Sequence, residues 1–278
     1  MFADLHIHSS YSDGTDSPEE LIDIARDRGI KVLSLVDHDT VQGLDEFSYA
    51  GRKHGVQTIP GVEISTSVKG VRIHILGYGI EYQNKLLVEF LSKLSKARTE
   101  NTRLVLARLN QLNLLNYPWE KVVEHNQGRK WIHSSHVFRS MVKDGYYSSF
   151  DQWLEFYYRY FGRYSPAYLD IDEFTPEKGI QVIKEAGGIP VLAHPKLIGD
   201  DSKLLHLKNY GLRGVEVYYP AHSQEDIKRY RELVERYKLI ITGGTDWHGQ
   251  GTEWPVSMGD YGIDEDSLSV LMTANKNN

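Results

Sequence analysis

Two histidines near the start of the chain, His6 and His8 in the segment DLHIHS, are two positions apart in a stretch that predicts a β-strand. Side chains two positions apart on a strand leave the same face, so both imidazoles can reach one cation. Other residues of metal-binding type fall at or near the ends of later predicted strands, namely Asp37, His38, Asp39, Glu63, His74, His194, Asp246 and His248. Because the strand ends of an α/β barrel form one rim, this pattern predicts a multinuclear metal centre.

The alternative interpretation is that these residues are scattered helix caps and polar strand ends. Asp37 and Asp39 could each cap the next helix. Burying so many ionisable groups together without a compensating cation is costly, and this argument favours the metal centre for the set as a whole.

A metal centre of this kind suits phosphoryl chemistry. Ions on the order of 3.5–4 Å apart bind phosphate oxygens, lower the pKa of a bridging water and neutralise the charge of an in-line displacement. The sequence has no cysteine, no G-x-S-x-G segment, no Walker loop and no G-x-G-x-x-G segment, so nothing in it predicts a protein nucleophile or a dinucleotide site.

The elements that must position these residues alternate between strand and helix. In the first helix, Ser17 predicts the N-cap, Pro18 the first position, Glu20 a capping box and Gly29 the end. A second alternating stretch begins near Pro176. We therefore predict strand and helix units around a parallel sheet, with the two ends of the chain as halves of one barrel.

Between these halves the pattern becomes helical and aromatic. We predict a first barrel part at residues 1–95, a helical insertion at 96–170 that serves as a substrate lid, and a second barrel part at 171–278. The tyrosines of the insertion and Trp153 are typical of a small hydrophobic core, and a base-stacking platform is the alternative.

Composition limits the classes of function. The 278 residues are 40% hydrophobic and carry a formal net charge of −6, which is typical of a globular protein and excludes a basic field for long nucleic acid. There is no apolar run long enough for a membrane span and no signal-peptide pattern, so the expected location is the cytoplasm.

The segments DLHIHSSYSDGTDSPEEL, SLVDHD, PGVEIS, HILGYG, AHP and GGTDWHG resemble, in order, the motifs of the PHP (polymerase and histidinol phosphatase) superfamily. The resemblance implies a distorted α/β barrel of seven strands, (β/α)7, with two or three divalent ions, where Mn, Fe and Zn suit the ligands and Mg²⁺ is a further candidate. It assigns one ion to His6, His8, Glu63 and Asp246, a second to Glu63, His74 and His194, and a third to Asp13, His38 and His248.

The long insertion is similar to that of the branch that acts on nucleoside 3′,5′-bisphosphates and on the 5′ end of short RNA. The resemblance implies Arg129, His136 and Arg163 as substrate contacts, although extra residues separate Arg129 from His136 here. We predict Glu63, Asp246 and His248 as the catalytic residues and leave the general acid unassigned. The expected partner is a small phosphorylated substrate, a nucleotide or short RNA.

Two other functions stay open at this point. The first is a histidinol-phosphate or other small-molecule phosphatase with the same metals and a different rim. The second is a non-catalytic, metal-stabilised module, which the presence of every ligand type disfavours.

Overall fold

A computed structural model describes residues 2–250 and 256–276. Its strands are β1 (Ala3–Ile7), β2 (Val32–Leu35), β3 (Gln57–Val68), β4 (Val71–Tyr78), β5 (Ile189–Leu192), β6 (Gly214–Tyr218) and β7 (Ile240–Gly243). Its helices are α1 (Pro18–Asp27), α2 (Leu44–His54), α3 (Lys85–Gln111), α4 (Trp119–His125), α5 (Ser134–Lys143), α6 (Trp153–Phe156), α7 (Pro176–Glu185), α8 (Ser202–Asn209), α9 (Gln224–Tyr237) and α10 (Glu265–Lys276). Two 3₁₀ turns (Phe150–Gln152 and Pro195–Ile198) and a π-helical turn (Tyr157–Phe161) complete the list.

The strands form a nearly closed barrel. They lie in chain order, β1 to β7, in a seven-stranded sheet. A parallel bridge between Ile7 and Trp247, just beyond β7, brings the last strand region back to β1. The predicted α/β barrel of seven strands is therefore confirmed.

One strand departs from the predicted parallel order. β4 is antiparallel to both β3 and β5, whereas the remaining neighbours are parallel. The reason is a two-residue hairpin in which Lys69 and Gly70 both have positive φ, while Val68 pairs with Val71. Glu63 consequently lies inside β3, so the prediction that it lies at or near the end of a strand was wrong, and His74 lies inside β4.

Local signals account for the helices that flank the barrel. Ser17 caps α1 in a capping box with Glu20, and Pro18 occupies its first position, as predicted. The leucines and isoleucines on the inner faces of α1, α2 and α7 pack with those of the strands in one large buried cluster. In a second cluster, Leu268 and Leu271 of α10 pack against the strand ends opposite the site, so α10 closes that end of the barrel.

The segment between β4 and α7 contains a hydrophobic core of its own. That core includes Val105, Phe138, Trp153 and Phe156, so most of the insertion's aromatic side chains pack in a subdomain core. The predicted boundary near residue 96 falls inside α3, which continues from the barrel core into the insertion core.

Candidate metal centre

Glu63 lies at the centre of the barrel mouth, and each of its carboxylate oxygens faces a different group of imidazoles. Its Oε2 lies 3.1 Å from His6 Nε2 and 3.2 Å from His8 Nε2. Its Oε1 lies 2.9 Å from His74 Nδ1 and 3.1 Å from His194 Nε2. This is the arrangement expected of a carboxylate that bridges two cations.

Three groups of ligand atoms surround this carboxylate. The atoms within each group lie within 4.8 Å of one another, and the groups are His6, His8, Glu63 and Asp246; His38, Glu63 and His74; and His8, Asp13, His38 and His248. The first set is the one that the family resemblance implied. In the second, His38 takes the place given to His194, which still touches Glu63, and the third gains His8.

Backbone geometry at the mouth is unusual in ways that serve these side chains. Asp39, His194 and Asp246 have positive φ values of 54°, 27° and 53°, a region that non-glycine residues seldom occupy. Gly244 lets the chain beyond β7 pass close to β1, since a Cβ there would lie 2.4 Å from His6 N.

The hydrogen bonds around the centre orient the imidazoles. His6 Nδ1 lies 2.8 Å from Glu216 Oε1, which leaves Nε2 toward Glu63 and Asp246. His248 Nδ1 donates to the carbonyl of Asp246 at 2.7 Å, which likewise leaves its Nε2 toward Asp13. Fixing one nitrogen by a hydrogen bond and presenting the other is the usual arrangement of metal-binding histidines.

Electrostatics at the centre depend on the close packing of opposite charges. Burial alone would raise the pKa of Glu63, but the neighbouring imidazoles hold it well below its usual range. Burial would likewise lower the pKa of His6, but Glu216, Asp246 and Glu63 raise it well above its ordinary value. The Glu63 carboxylate is therefore charged, the form in which it coordinates cations, and a bound ion would displace protons from rings such as His6.

The residues present fit divalent ions. The buried atoms His8 Nε2, Asp13 Oδ1 and Asp246 Oδ1 face other ligand-type groups but have no hydrogen-bond partner. Buried polar atoms are normally paired, so lone pairs without a hydrogen-bond donor that converge on one region fit the binding of a cation. Imidazole and carboxylate together suit Mn, Fe and Zn.

A pocket of about 470 Å³ opens over this centre. Its floor includes Asp13, His38, Glu63, His74, His194, Asp246 and His248, and its walls include Arg72, His133, Trp153, Tyr157, Tyr158, Arg163, Tyr164 and Tyr168. The insertion therefore supplies the aromatic side chains and Arg163 of a wall that faces the ligand-type residues, and Arg72 of β4 adds a second cation to this wall.

The predicted substrate contacts fall in two different places. Arg163 lies in the pocket wall, with its guanidinium 5.1 Å from the ring centre of Tyr164. Arg129 and His136 instead direct their side chains to backbone carbonyls of the loop that follows β1. Asp37 and Asp39 do not cap a helix; they accept hydrogen bonds from Ser9 and from Ser65 respectively.

Sequence reasoning missed several residues around the site. Glu216 stands alone among apolar residues in the strand GVEVY, which is a usable signal for a buried carboxylate with a partner. Arg72 lies two positions before His74 on the same strand, so its side chain leaves the same face. Tyr219, whose hydroxyl donates to Asp246, and His133 offered no comparable signal.

The PHP domain family matches residues 4–173. Among curated proteins, the chain is 32% identical to the phosphoribosyl 1,2-cyclic phosphate 1,2-diphosphodiesterase of Eggerthella lenta, over 90% of this chain and 95% of that protein. It is 29% identical to the 3′,5′-nucleoside bisphosphate phosphatase of Chromobacterium violaceum (89% and 87%) and 30% identical to a 5′-3′ exoribonuclease of Escherichia coli (88% and 84%).

Two solved structures resemble the whole chain. A Bifidobacterium adolescentis protein assigned as a metal-dependent phosphoesterase superposes with a TM-score of 0.86 at 27% identity, covering 98% of this chain and 96% of that one. An amidohydrolase from Chromobacterium violaceum, solved with sulfate, gives a TM-score of 0.81 at 28% identity, covering 94% and 93%.

Proposed function

Because the chain belongs to the PHP domain family, we propose that it is a metal-dependent phosphoesterase that releases phosphate from small nucleotides. The observation that carries this proposal is Glu63, whose two oxygens face separate groups of imidazoles within 3.3 Å. The relatives named above act, by their names, on a nucleotide bisphosphate, on RNA ends or on a cyclic sugar phosphate, and all of these are phosphate esters.

Three sets of residues at the barrel mouth would each hold one ion. We assign one ion to His6, His8, Glu63 and Asp246, a second to Glu63, His74 and His194, and a third to Asp13, His38 and His248. When bound, such ions polarise a phosphate group and lower the pKa of a water molecule that can attack it. Glu63 serves two ions, and Asp246 and His248 complete the proposed catalytic set.

Arg72 is suited to hold a second anionic group of the substrate. Its guanidinium lies 5.0 Å from the ring centre of Tyr157 and 3.3 Å from His133 Nε2. Burial, and then the charge of Arg72, keep the pKa of His133 well below its usual range, so the imidazole is neutral and leaves the arginine charge uncompensated. Arg163 adds a second cation to the same wall.

The aromatic side chains of the wall are suited to a base. Trp153, Tyr157 and Tyr168 line the pocket beside Arg72, and aromatic faces bind bases of any sequence by stacking. Trp153 also belongs to the subdomain core, so it can hold its orientation when a base packs against the wall. A nucleotide with two phosphate groups matches this combination of ligand-type floor, cationic wall and aromatic faces.

A substrate panel tests the assignment. With metal-reconstituted protein, we expect kcat/KM for a nucleoside 3′,5′-bisphosphate to exceed that for the matching monophosphate by at least 10-fold, because an arginine left without its phosphate loses a charge-assisted hydrogen bond. Arg72→Ala and Arg163→Ala should erode this preference while hydrolysis of p-nitrophenyl phosphate changes little. Arg103→Ala, on an exposed arginine paired with Glu100, is the control.

The same panel decides between this proposal and its rivals. Strong preference for histidinol phosphate would identify a different small-molecule phosphatase, and absence of hydrolysis with every ester would favour a non-catalytic module. Preference for a cyclic phosphodiester over every monoester would support the second candidate, a cyclic phosphodiesterase, which the 32% identity over nearly the whole Eggerthella lenta enzyme favours.

A further inference from the structure

The segment at residues 129–136 runs from the loop after α4 into the first turn of α5. It contacts the barrel at the third metal site, and its His133 also lines the pocket. We propose that this segment is a positioning clamp that sets the affinity of the site formed by Asp13, His38 and His248. The inference rests on the metal centre of the proposed function. In this inference, Arg129, Trp131 and His136 position ligands of the ion and do not contact the substrate.

Arg129 holds the loop that carries Asp13. Its Nη1 donates to the carbonyl oxygens of Ser10 and Ser12, the latter at 2.7 Å. These carbonyls belong to the turn between β1 and α1, so the arginine fixes the peptide that immediately precedes Asp13. A single guanidinium thus reaches across from the insertion and restrains the part of this turn that carries Asp13.

His136 makes a second attachment to the same turn. Its Nε2 donates to the carbonyl of Ser12 at 3.1 Å, while its Nδ1 accepts from the backbone N–H of His133 at 3.1 Å. Both ring nitrogens are therefore committed, and the side chain is 1% exposed. A buried imidazole with both nitrogens occupied by backbone groups is built for positioning, and it has no atom left for a substrate.

Trp131 holds a second ligand of the same site from another side. Its ring stacks on His38 with centroids 5.7 Å apart and planes at 22°. Its Nε1 donates to Asp39 Oδ2 at 3.2 Å, next to His38 in the chain. The segment therefore restrains two of the three predicted ligands of one site, Asp13 through its turn and His38 through its ring face.

The turn is also held from inside the barrel, by Asp37. Asp37 accepts from Ser9 N at 2.8 Å, from Ser9 Oγ at 2.6 Å and from Ser12 Oγ at 2.5 Å. These bonds fix the near side of the turn, whereas the outward carbonyls of Ser10 and Ser12 depend on the insertion. Among the ligands of the other two sites, Glu63, His6 and His74 lie on strands, so loss of the bonds from Arg129 to the turn should affect those sites little.

Metal binding by Arg129→Ala tests the inference. Protein dialysed against a series of free Mn²⁺ concentrations and measured by elemental analysis should show one ion weakened about 10- to 100-fold and the rest unchanged, the range typical for groups that orient ligands. Asp13→Ala should lose the same ion outright. Arg103→Ala, an arginine of the insertion that is exposed and distant from the turn, should match wild type.

Two conservative variants separate positioning from general stability. Arg129→Lys, which keeps a donor, should recover part of the lost affinity, and Trp131→Phe should weaken the same ion because it loses the bond to Asp39. At saturating Mn²⁺ the kcat of Arg129→Ala should return to near the wild-type value. If Arg129→Ala weakened the binding of every ion equally, or bound metal as wild type does, this inference would be wrong and the proposed function would be unaffected. Wild-type protein that binds no divalent ion would refute the proposed function and this inference with it.

Discussion

Glu216 shows how single residues support the centre without facing the pocket. It is fully buried, and its two oxygens contact His6 Nδ1 and the backbone N–H of His194, both at 2.8 Å. One carboxylate thus fixes the ring of one candidate ligand and the backbone of another. Ligand types and their places along the chain could be predicted from the sequence, but this contact could not, because it joins residues 210 positions apart.

Changing Glu216 to Gln should therefore weaken metal binding while the pocket residues stay in place. We expect a loss of about 10- to 100-fold in affinity for the ion held by His6, because the amide removes the charge that polarises the ring. Titration of the variant and of wild type with Mn²⁺ measures this loss of affinity. Glu177→Gln, which alters a half-buried carboxylate 2.8 Å from His206 Nε2, is the matched control and should bind metal as wild type does. Unchanged affinity in Glu216→Gln would contradict this role.

At the scale of elements, the strand and helix alternation and the helix caps were enough to predict the barrel. The direction of β4 was missed because the apolar pattern of HILGYG suits a parallel or an antiparallel strand equally well. The pair Lys69–Gly70 between two β-branched runs is a hairpin signal that could have predicted it. Contacts made by the insertion were beyond prediction, since they depend on how two separate cores pack together.

Substitution of Gly244 tests whether the close approach between β1 and the chain beyond β7 is needed. Gly244→Ala should destabilise the fold by about 1–3 kcal/mol, because its Cβ would overlap the backbone and Cβ of His6. It should also reduce metal affinity by displacing that histidine. Thermal unfolding and Mn²⁺ titration of the same sample measure both effects.

Gly29→Ala serves as the control for Gly244→Ala. Gly29 has a φ of +71° and an added Cβ would meet nothing within 4 Å, so this change should cost about 1 kcal/mol of stability through backbone strain. Its metal affinity should remain at the wild-type value. Equal metal affinities in the two variants would show that the approach to His6 does not position the ligand.

The whole molecule combines a barrel that gathers ligand-type side chains with an insertion that contacts them from above. The insertion contacts the mouth through a wall around the pocket and through the clamp on the turn after β1, and the two adjoin at His133. Both contacts are anchored in the hydrophobic core of the insertion. Ile132 and Phe138 join this core beside the clamp, and Trp153 joins it beside the pocket. Within the described residues, no helix is both long and apolar enough to cross a membrane.

The central claim is that the ligand-type residues around Glu63 hold divalent ions that are required for hydrolysis of a phosphate ester. The most direct measurement is phosphate release from a nucleoside 3′,5′-bisphosphate by protein stripped of metal, verified by elemental analysis, and then reconstituted with Mn²⁺. We predict loss of activity on stripping, recovery on reconstitution, and at least a 100-fold deficit in reconstituted Glu63→Gln, with exposed His206→Ala close to wild type. Full activity in verified metal-free protein would contradict the account.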